Sequence, residues 1–136
     1  MCFSISLIRV NTDREVGVDI EKRAKARMEV AGRFFHEREV RMLKSLSGTG
    51  QDQLFFNYWS VKESFLKYIG TGLTRPLNSF IVTFTGERVS LYEGVNELPL
   101  HVNACPVDAG YACYVCGEDD GVPEIREVTF EEITRC

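Results

Sequence analysis

The chain has 136 residues, a length that fits one domain and hardly allows two. Hydrophobic residues make up 44% of it, which excludes an intrinsically disordered chain. The 16 basic and 20 acidic residues give a net charge of −4, so the composition excludes an overall attraction to nucleic acid or to an anionic membrane surface.

The cysteines and the first residues bear on the cellular compartment. Five cysteines, an odd number, follow no secretory signal. The opening apolar run, residues 3–8, is short and ends at Arg9, which is typical of a strand and not of a signal peptide or membrane span. We therefore expect reduced cysteines and a cytoplasmic protein without membrane contact. Cys113 and Cys116, three apart on a predicted strand, face opposite sides, so we expect two buried thiols and not a shared metal.

Two strands are predicted at the start of the chain. Residues 3–10 are largely apolar, and residues 15–21 alternate, with apolar side chains at positions 16, 18 and 20. The turn-forming Asn11-Thr12-Asp13 lies between them, which predicts a β-hairpin. Asp19 and Glu21 share one face of the second strand, a spacing that lets both carboxylates reach one hard cation. The same pattern is also typical of an acidic strand surface in water.

Three helices are predicted after these strands. Residues 28–35 and 37–46 carry helix-forming side chains, and the Ser47-Gly48-Thr49-Gly50 run is expected to end the second helix. A longer helix is predicted over residues 52–69, with Gly70 as its C-cap.

The long helix has two distinct stripes at 100° per residue. Its apolar stripe, the expected core face, consists of Leu54, Tyr58, Val61, Phe65, Tyr68 and Ile69. Trp59, Glu63 and Lys67 follow one another at intervals of four on roughly the opposite side. Glu63 and Lys67 are compatible with an ordinary exposed ion pair, and Glu63 is equally placed to be a third carboxylate beside Asp19 and Glu21.

The last part of the chain is rich in predicted strands. Residues 79–85 and 88–92 form one expected hairpin, residues 100–105 and 110–116 form another, and residues 125–130 form a last strand. Strands at both ends with helices between them predict an α+β fold.

Basic residues are concentrated between positions 22 and 44. A solvated helical surface explains them, and so does a patch for a phosphate-rich ligand or an acidic partner. The members of this stretch are Lys22, Arg23, Lys25, Arg27, Arg33, Arg38, Arg41 and Lys44.

Several segments resemble those of the Sfp-type 4′-phosphopantetheinyl transferases, and the two acidic segments occur in that family's order and separation. The resemblance implies an α+β lobe of that fold, an antiparallel sheet with helices packed on one face. The matching segments are Val16-Gly17-Val18-Asp19-Ile20-Glu21-Lys22, Arg33-Phe34-Phe35 followed by Glu39, Trp59-Ser60-Val61-Lys62-Glu63-Ser64-Phe65-Leu66-Lys67, Gly70-Thr71-Gly72-Leu73, Gly110-Tyr111-Ala112 and Val128-Thr129-Phe130.

The resemblance also implies roles for individual residues. Asp19, Glu21 and Glu63 would hold Mg²⁺ against the pyrophosphate of coenzyme A. Lys67 and Lys62 would contact the phosphates, and Glu63 would be the base for a serine of an acyl or peptidyl carrier protein. The implied reaction is Mg²⁺-dependent transfer of 4′-phosphopantetheine from coenzyme A to that serine, with release of 3′,5′-ADP.

Members of that family usually have two similar lobes with coenzyme A between them, and residues 1–136 correspond to one lobe, the second. The H-S motif and the basic residues that hold the adenosine 3′-phosphate belong to the first lobe. Three arrangements are therefore open: self-association that rebuilds the cleft, a separate first-lobe chain, or a truncated product. The alternative function is an inactive carrier-binding or assembly module, and an unrelated acid-cluster metal hydrolase is a further one.

Overall fold

The computed structural model describes residues 4–10, 15–70, 75–119 and 123–129, with side chains described for 15–70 and 75–119. These residues form eight strands, three α-helices and one 3-10 helix. The strands are β1 (Ser4–Val10), β2 (Val16–Lys22), β3 (Ile81–Thr85), β4 (Arg88–Glu93), β5 (Asn96–Glu97), β6 (His101–Ala104), β7 (Tyr111–Gly117) and β8 (Pro123–Thr129). The helices are α1 (Met28–Phe34), α2 (Glu37–Lys44) and α3 (Gly48–Ile69), and the 3-10 helix is Leu77–Ser79.

All strand pairs are antiparallel. Five strands follow the order β2-β7-β6-β4-β3, the short β5 pairs with β4, and β1 pairs with β8 in a separate two-stranded sheet. The predicted hairpin between residues 3–10 and 15–21 is therefore wrong, because β1 lies beside β8 and β2 beside β7. Alternation along a strand defines its two faces, but it carries no information about which distant strand supplies the partner.

The predicted elements otherwise agree with the structure, and the α+β class is confirmed. Both later hairpins and the last strand are present. Gly70 ends α3 in the left-handed conformation, with φ +52°, as its C-cap role requires. Helix α3 begins at Gly48, four residues before the predicted start at 52. The Gln51 side chain donates to the carbonyls of Leu43 and Leu46. A residue of α3 thus supplies hydrogen bonds to backbone carbonyl groups that the end of α2 leaves without helical partners.

Helix α3 is the centre of the fold and packs across β2 and β7. It is buried on most of its sides, not on the predicted apolar stripe alone. Its fully or nearly fully buried residues are Phe55, Phe56, Tyr58, Ser60, Val61, Lys62, Ser64 and Phe65. Within the described residues, no helix is long and apolar enough to cross a membrane.

The two faces of the main sheet carry different apolar clusters. Cys116 lies in the large cluster with α3, and Cys113 lies in a smaller cluster with Cys105 and Val115. The opposite orientation predicted for Cys113 and Cys116 is therefore confirmed.

Candidate active site

Strand β2 presents its acidic face to helix α3. Asp19 is only 5% exposed, and Glu21 is half-buried. The approach of strand and helix is close because position 17 is glycine. A Cβ atom at Gly17 would lie 1.9 Å from the Ser64 carbonyl oxygen and 2.3 Å from the Tyr68 nitrogen. The carboxylates of β2 are thus held against a helix and not on an open strand surface.

Helix α3 brings its polar stripe to the same place. Lys67 Nζ donates to Asp19 Oδ1 at 2.8 Å, and the Lys67 side chain is 53% exposed. The hydroxyl of Ser60 donates to the backbone carbonyl of Asp19 at 3.0 Å, inside the protein. The indole of Trp59 lies near the Glu21 carboxylate and works to lower the pKa of Glu21. Strand and helix are therefore joined by two hydrogen bonds at the candidate site, both to Asp19.

The charges of the site perturb one another. Burial and the charge of Asp19 raise the pKa of both Glu21 and Glu63, and Lys67 opposes the rise in each. Burial works to lower the pKa of Lys67, but its hydrogen bond to Asp19 and the charges of Asp19, Glu63 and Glu21 raise it overall. The charges of three carboxylates thus act on one ammonium group, so the site carries an excess of negative charge that favours a further cation.

Asp19 has an unused ligand atom. Its Oδ2 is buried and, within the described part of the chain, has no hydrogen-bond partner. A buried charged oxygen without a partner is costly, and a bound cation removes that cost. Carboxylate oxygens are also the ligands that Mg²⁺ prefers. The donor set therefore fits a hard divalent cation.

The carboxylates are near one another without forming a finished metal site. Among the residues that the structure describes, no three Asp, Glu, His or Cys side chains are close enough to hold a metal ion as they stand. Lys67 holds Oδ1 of Asp19, so a cation bound through that oxygen would have to displace Lys67.

Lys62, which the resemblance assigned to the phosphates, lies elsewhere. Its side chain is 0% exposed, and its Nζ forms an ion pair with Glu39 Oε1 at 2.9 Å. The same Nζ donates to the carbonyls of Leu77 at 2.6 Å and Phe80 at 2.7 Å. An ammonium group has three N–H donors, and all three are used inside the protein. The structure therefore corrects the expectation that Lys62 contacts a ligand.

Sequence reasoning missed the supporting residues of the site. Neither Ser60, whose hydroxyl donates to the Asp19 carbonyl, nor Trp59 was assigned a role there. The ring centroid of Trp59 lies 5.9 Å from that of Phe35 and 6.3 Å from that of Phe55. The signal for close packing was Gly17, because an isolated glycine within a strand marks a close approach of backbone.

The fold and the site together define an α+β lobe in which carboxylates of an edge strand meet a glutamate and a lysine of a packed helix. Comparison with known proteins gives this class its family. The model of the 4′-phosphopantetheinyl transferase superfamily matches residues 15–116. The chain belongs to that superfamily.

Curated relatives agree with this assignment. The chain is 37% identical over 120 residues to the 4′-phosphopantetheinyl transferase Sfp of Bacillus subtilis, which covers 87% of the chain and 54% of that protein. It is 32% identical over 105 residues to the 4′-phosphopantetheinyl transferase gsp of Aneurinibacillus migulanus, covering 77% of the chain and 44% of that protein. The chain thus spans about half the length of these relatives.

Solved structures share the fold at low sequence identity. The holo-(acyl-carrier-protein) synthase of Bacillus anthracis, crystallised in complex with CoA (3′,5′-ADP), has a TM-score of 0.60 and 17% identity, over 75% of this chain and 92% of its own. The holo-[acyl-carrier-protein] synthase of Thermotoga maritima has a TM-score of 0.58 and 18% identity, over 75% of this chain and 61% of its own.

Proposed function

We propose that this chain transfers the 4′-phosphopantetheine group of coenzyme A to a serine of an acyl or peptidyl carrier protein and releases 3′,5′-ADP. The observation that carries the proposal is the meeting of Asp19, Glu21, Glu63 and Lys67 between β2 and α3, in a chain of the transferase superfamily. The names of the relatives and the coenzyme A complex of one structural neighbour support the choice of substrate.

The cation in this proposal is Mg²⁺, held by the free Oδ2 of Asp19 together with Glu21 and Glu63. When bound, it neutralises the charge that develops on the phosphoryl oxygens. The excess of carboxylate over ammonium charge at the site supports this assignment.

Lys67 is the proposed contact to the phosphates. Its side chain is about half exposed, so it is free to exchange Asp19 for a phosphate oxygen without crossing the core. A lysine ammonium serves as a point charge for such an oxygen. Lys62 is left out of this role because its three donors are already used.

Glu63 is the proposed base. Burial and the charge of Asp19 raise the pKa of Glu63, which makes it a stronger proton acceptor than an exposed glutamate. In the proposed step the serine hydroxyl oxygen bonds to the β-phosphorus of coenzyme A, and its proton passes to Glu63. The bond from that phosphorus to the bridging oxygen breaks, and 3′,5′-ADP leaves with the electron pair.

The carrier protein is expected to bind at a basic surface around α1 and α2. We define this basic surface as Lys22, Lys25, Arg27, Arg33, Arg38, Arg41 and Lys44, all of which are exposed. Arg23 is not part of it, because its guanidinium donates to the Gln53 carbonyl and to Asn57 Oδ1. An acidic carrier protein complements such a surface.

Whether these residues form the whole coenzyme A site is a separate question. Because the chain spans about half the length of these curated relatives, we infer that a second lobe completes the coenzyme A site, whether it belongs to a longer form of this chain, to a second copy or to another chain. The alternative function, an inactive carrier-binding or assembly module, rests on the same half-length match. We place the protein in the cytoplasm, where thiols such as those of Cys105, Cys113 and Cys116 stay reduced.

Intact-mass spectrometry of an apo carrier protein tests the proposal. The carrier is incubated with this chain, coenzyme A and Mg²⁺ over a range of chain concentrations, beside Glu63→Gln and the matched control Glu87→Gln, an exposed turn residue. Gain of one phosphopantetheine with the wild type and with Glu87→Gln, and its loss with Glu63→Gln, supports the enzyme. A rate that rises more steeply than the chain concentration supports self-association. No gain at any concentration, with the carrier still bound, supports the inactive module.

A further inference from the structure

A fully buried ion pair lies on a different side of α3 from the candidate site. Lys62 and Glu39 have side-chain exposures of 0% and 1%, and their charged atoms are 2.9 Å apart. Burial lowers the pKa of Lys62, and the charge and hydrogen bond of Glu39 oppose that shift. The pair adjoins the site along the chain, since Glu63 follows Lys62.

The pair has bonds to several elements at once. Glu39 accepts hydrogen bonds from the backbone N–H of His36, at 2.9 Å, and of Val82, at 2.7 Å. Lys62 donates to the carbonyls of Leu77 and Phe80 in addition to Glu39. The start of α2, the middle of α3, the 3-10 helix and β3 are therefore connected through two side chains.

Stability alone does not account for such a pair. Replacing a buried ion pair with apolar side chains of similar size is often neutral or stabilising. Helix α3 is buried on most of its sides, and burial of apolar area is non-directional, so burial by itself does not define the rotation of the helix. Many rotations of this helix about its axis would bury similar apolar areas, and directional bonds are what select one.

We propose that Glu39 and Lys62 form a positioning pair that fixes the rotation of α3 and so holds Trp59, Glu63 and Lys67 toward β2. Side-chain ends lie about 5–6 Å from the helix axis, so a rotation of about 20° displaces them by about 2 Å, enough to break a hydrogen bond. The aromatic ring of Phe35 transmits the same constraint, since it lies 5.9 Å from Lys62 Nζ and 5.9 Å from the Trp59 ring.

The indole N–H of Trp59 reports the geometry without any ligand. Trp59 is the only tryptophan in the chain, so its indole gives a single resonance in a ¹H–¹⁵N spectrum, and it lies near the Glu21 carboxylate, whose pKa it works to lower. The variant Glu39→Leu/Lys62→Met replaces the pair by apolar side chains. The matched control Glu97→Leu/Arg88→Met does the same to an exposed ion pair.

We expect the double variant Glu39→Leu/Lys62→Met to melt near the wild-type temperature, with a displaced indole resonance and indole exchange at least several-fold faster. Mn²⁺ affinity, measured by electron paramagnetic resonance, is expected to fall about tenfold, the lower end for loss of an outer-shell partner. The control should match the wild type in both measurements. An unchanged indole resonance and exchange rate in a folded double variant would overturn the proposal.

A second variant covers the case in which the apolar pair does not fold. Lys62→Arg keeps the charge and the partner, but a planar guanidinium does not match three acceptors arranged around an ammonium. A displaced indole resonance in Lys62→Arg supports the positioning pair, and a wild-type resonance contradicts it. The importance of the positioning pair for turnover rests on the proposed function. The indole measurement uses no coenzyme A, metal or carrier, so its result is independent of whether the proposed function is correct.

Discussion

The Lys67 ammonium lies 2.8 Å from Oδ1 of Asp19, a carboxylate that is only 5% exposed and whose other oxygen has no described partner. Lys67 itself is about half exposed. The arrangement pairs a half-exposed ammonium group with a buried carboxylate. A divalent cation bound to Asp19 would therefore share this carboxylate with Lys67.

Lys67→Gln is expected to separate cation binding from turnover. Removing the ammonium frees Asp19 Oδ1 and makes the site more negative, so Mn²⁺ should bind several-fold more tightly to the variant than to the wild type. Turnover should fall about 100-fold, because the proposed phosphate contact is lost. Titration by electron paramagnetic resonance and the carrier mass assay measure the two effects.

Lys44→Gln, on α2, changes the net charge equally and is the control for the Mn²⁺ titration. It should leave Mn²⁺ affinity as it is in the wild type. If Lys67→Gln instead weakened Mn²⁺ binding, the carboxylates of β2 would not be the cation ligands.

Glu63→Gln is expected to stabilise the metal-free protein at neutral pH. Because the native pKa of Glu63 is raised above 4.5, the folded protein favours the protonated form of this carboxyl group. The stability that the protonated group contributes is fully present below pH 4.5 and is lost as the pH rises through the native pKa. Glutamine does not ionise, so the variant does not lose this stability at neutral pH. The melting temperature of the variant should exceed that of the wild type at pH 7, and the difference should narrow as the pH falls toward 4.5.

Mg²⁺ should reverse that order. A cation held by Glu63 stabilises the folded wild type more than the variant, so millimolar Mg²⁺ should raise the wild-type melting temperature by the larger amount. Equal shifts for the two proteins would argue against Glu63 as a ligand.

Gly17→Ala is expected to destabilise the fold by about 1–3 kcal/mol or more, because strand β2 has no room for a methyl group against α3. The atoms nearest to the added carbon, the Ser64 oxygen at 1.9 Å and the Tyr68 nitrogen at 2.3 Å, belong to the backbone and do not swing away. Chemical denaturation measures the loss of stability.

Gly32→Ala is the matched control, since nothing lies within 4 Å of a Cβ at that helical position. Alanine is the better helix former, so this variant should gain up to about 1 kcal/mol. A Gly17→Ala protein as stable as the wild type would mean that β2 and α3 are further apart than described.

Arg38→Glu/Arg41→Glu tests the basic surface. Both side chains are exposed on α2, and Arg41 also forms an ion pair with Glu37. Reversing both charges should weaken binding of an acidic carrier protein about tenfold or more, chiefly through slower association. Fluorescence anisotropy with a labelled carrier measures this.

Arg88→Glu, a charge reversal outside the basic surface, should have little effect on carrier binding. Unchanged carrier affinity in the α2 variant would exclude this surface as the docking site. The loss should also shrink as salt is added, because exposed charges are screened.

Much of the local structure could be predicted from the sequence. The alternation in residues 15–21 defined the strand and the common face of Asp19 and Glu21, because side chains in a strand repeat every two residues. The spacing of Trp59, Glu63 and Lys67 defined a common stripe on α3, because residues four apart lie on one side of a helix. These are properties of the chain itself, independent of what packs against it.

The tertiary structure alone decided which elements meet. Strand β2 pairs with β7 and not with β1, and Lys62 is turned into the core toward Glu39 while its neighbour Glu63 is turned toward β2. Neither outcome is encoded in local periodicity, because the partners lie 23 or more positions away along the sequence. They follow from the packing of α3 across the sheet, where the close contact at Gly17 and the buried bonds of Ser60 and Lys62 select one arrangement among many of similar apolar burial.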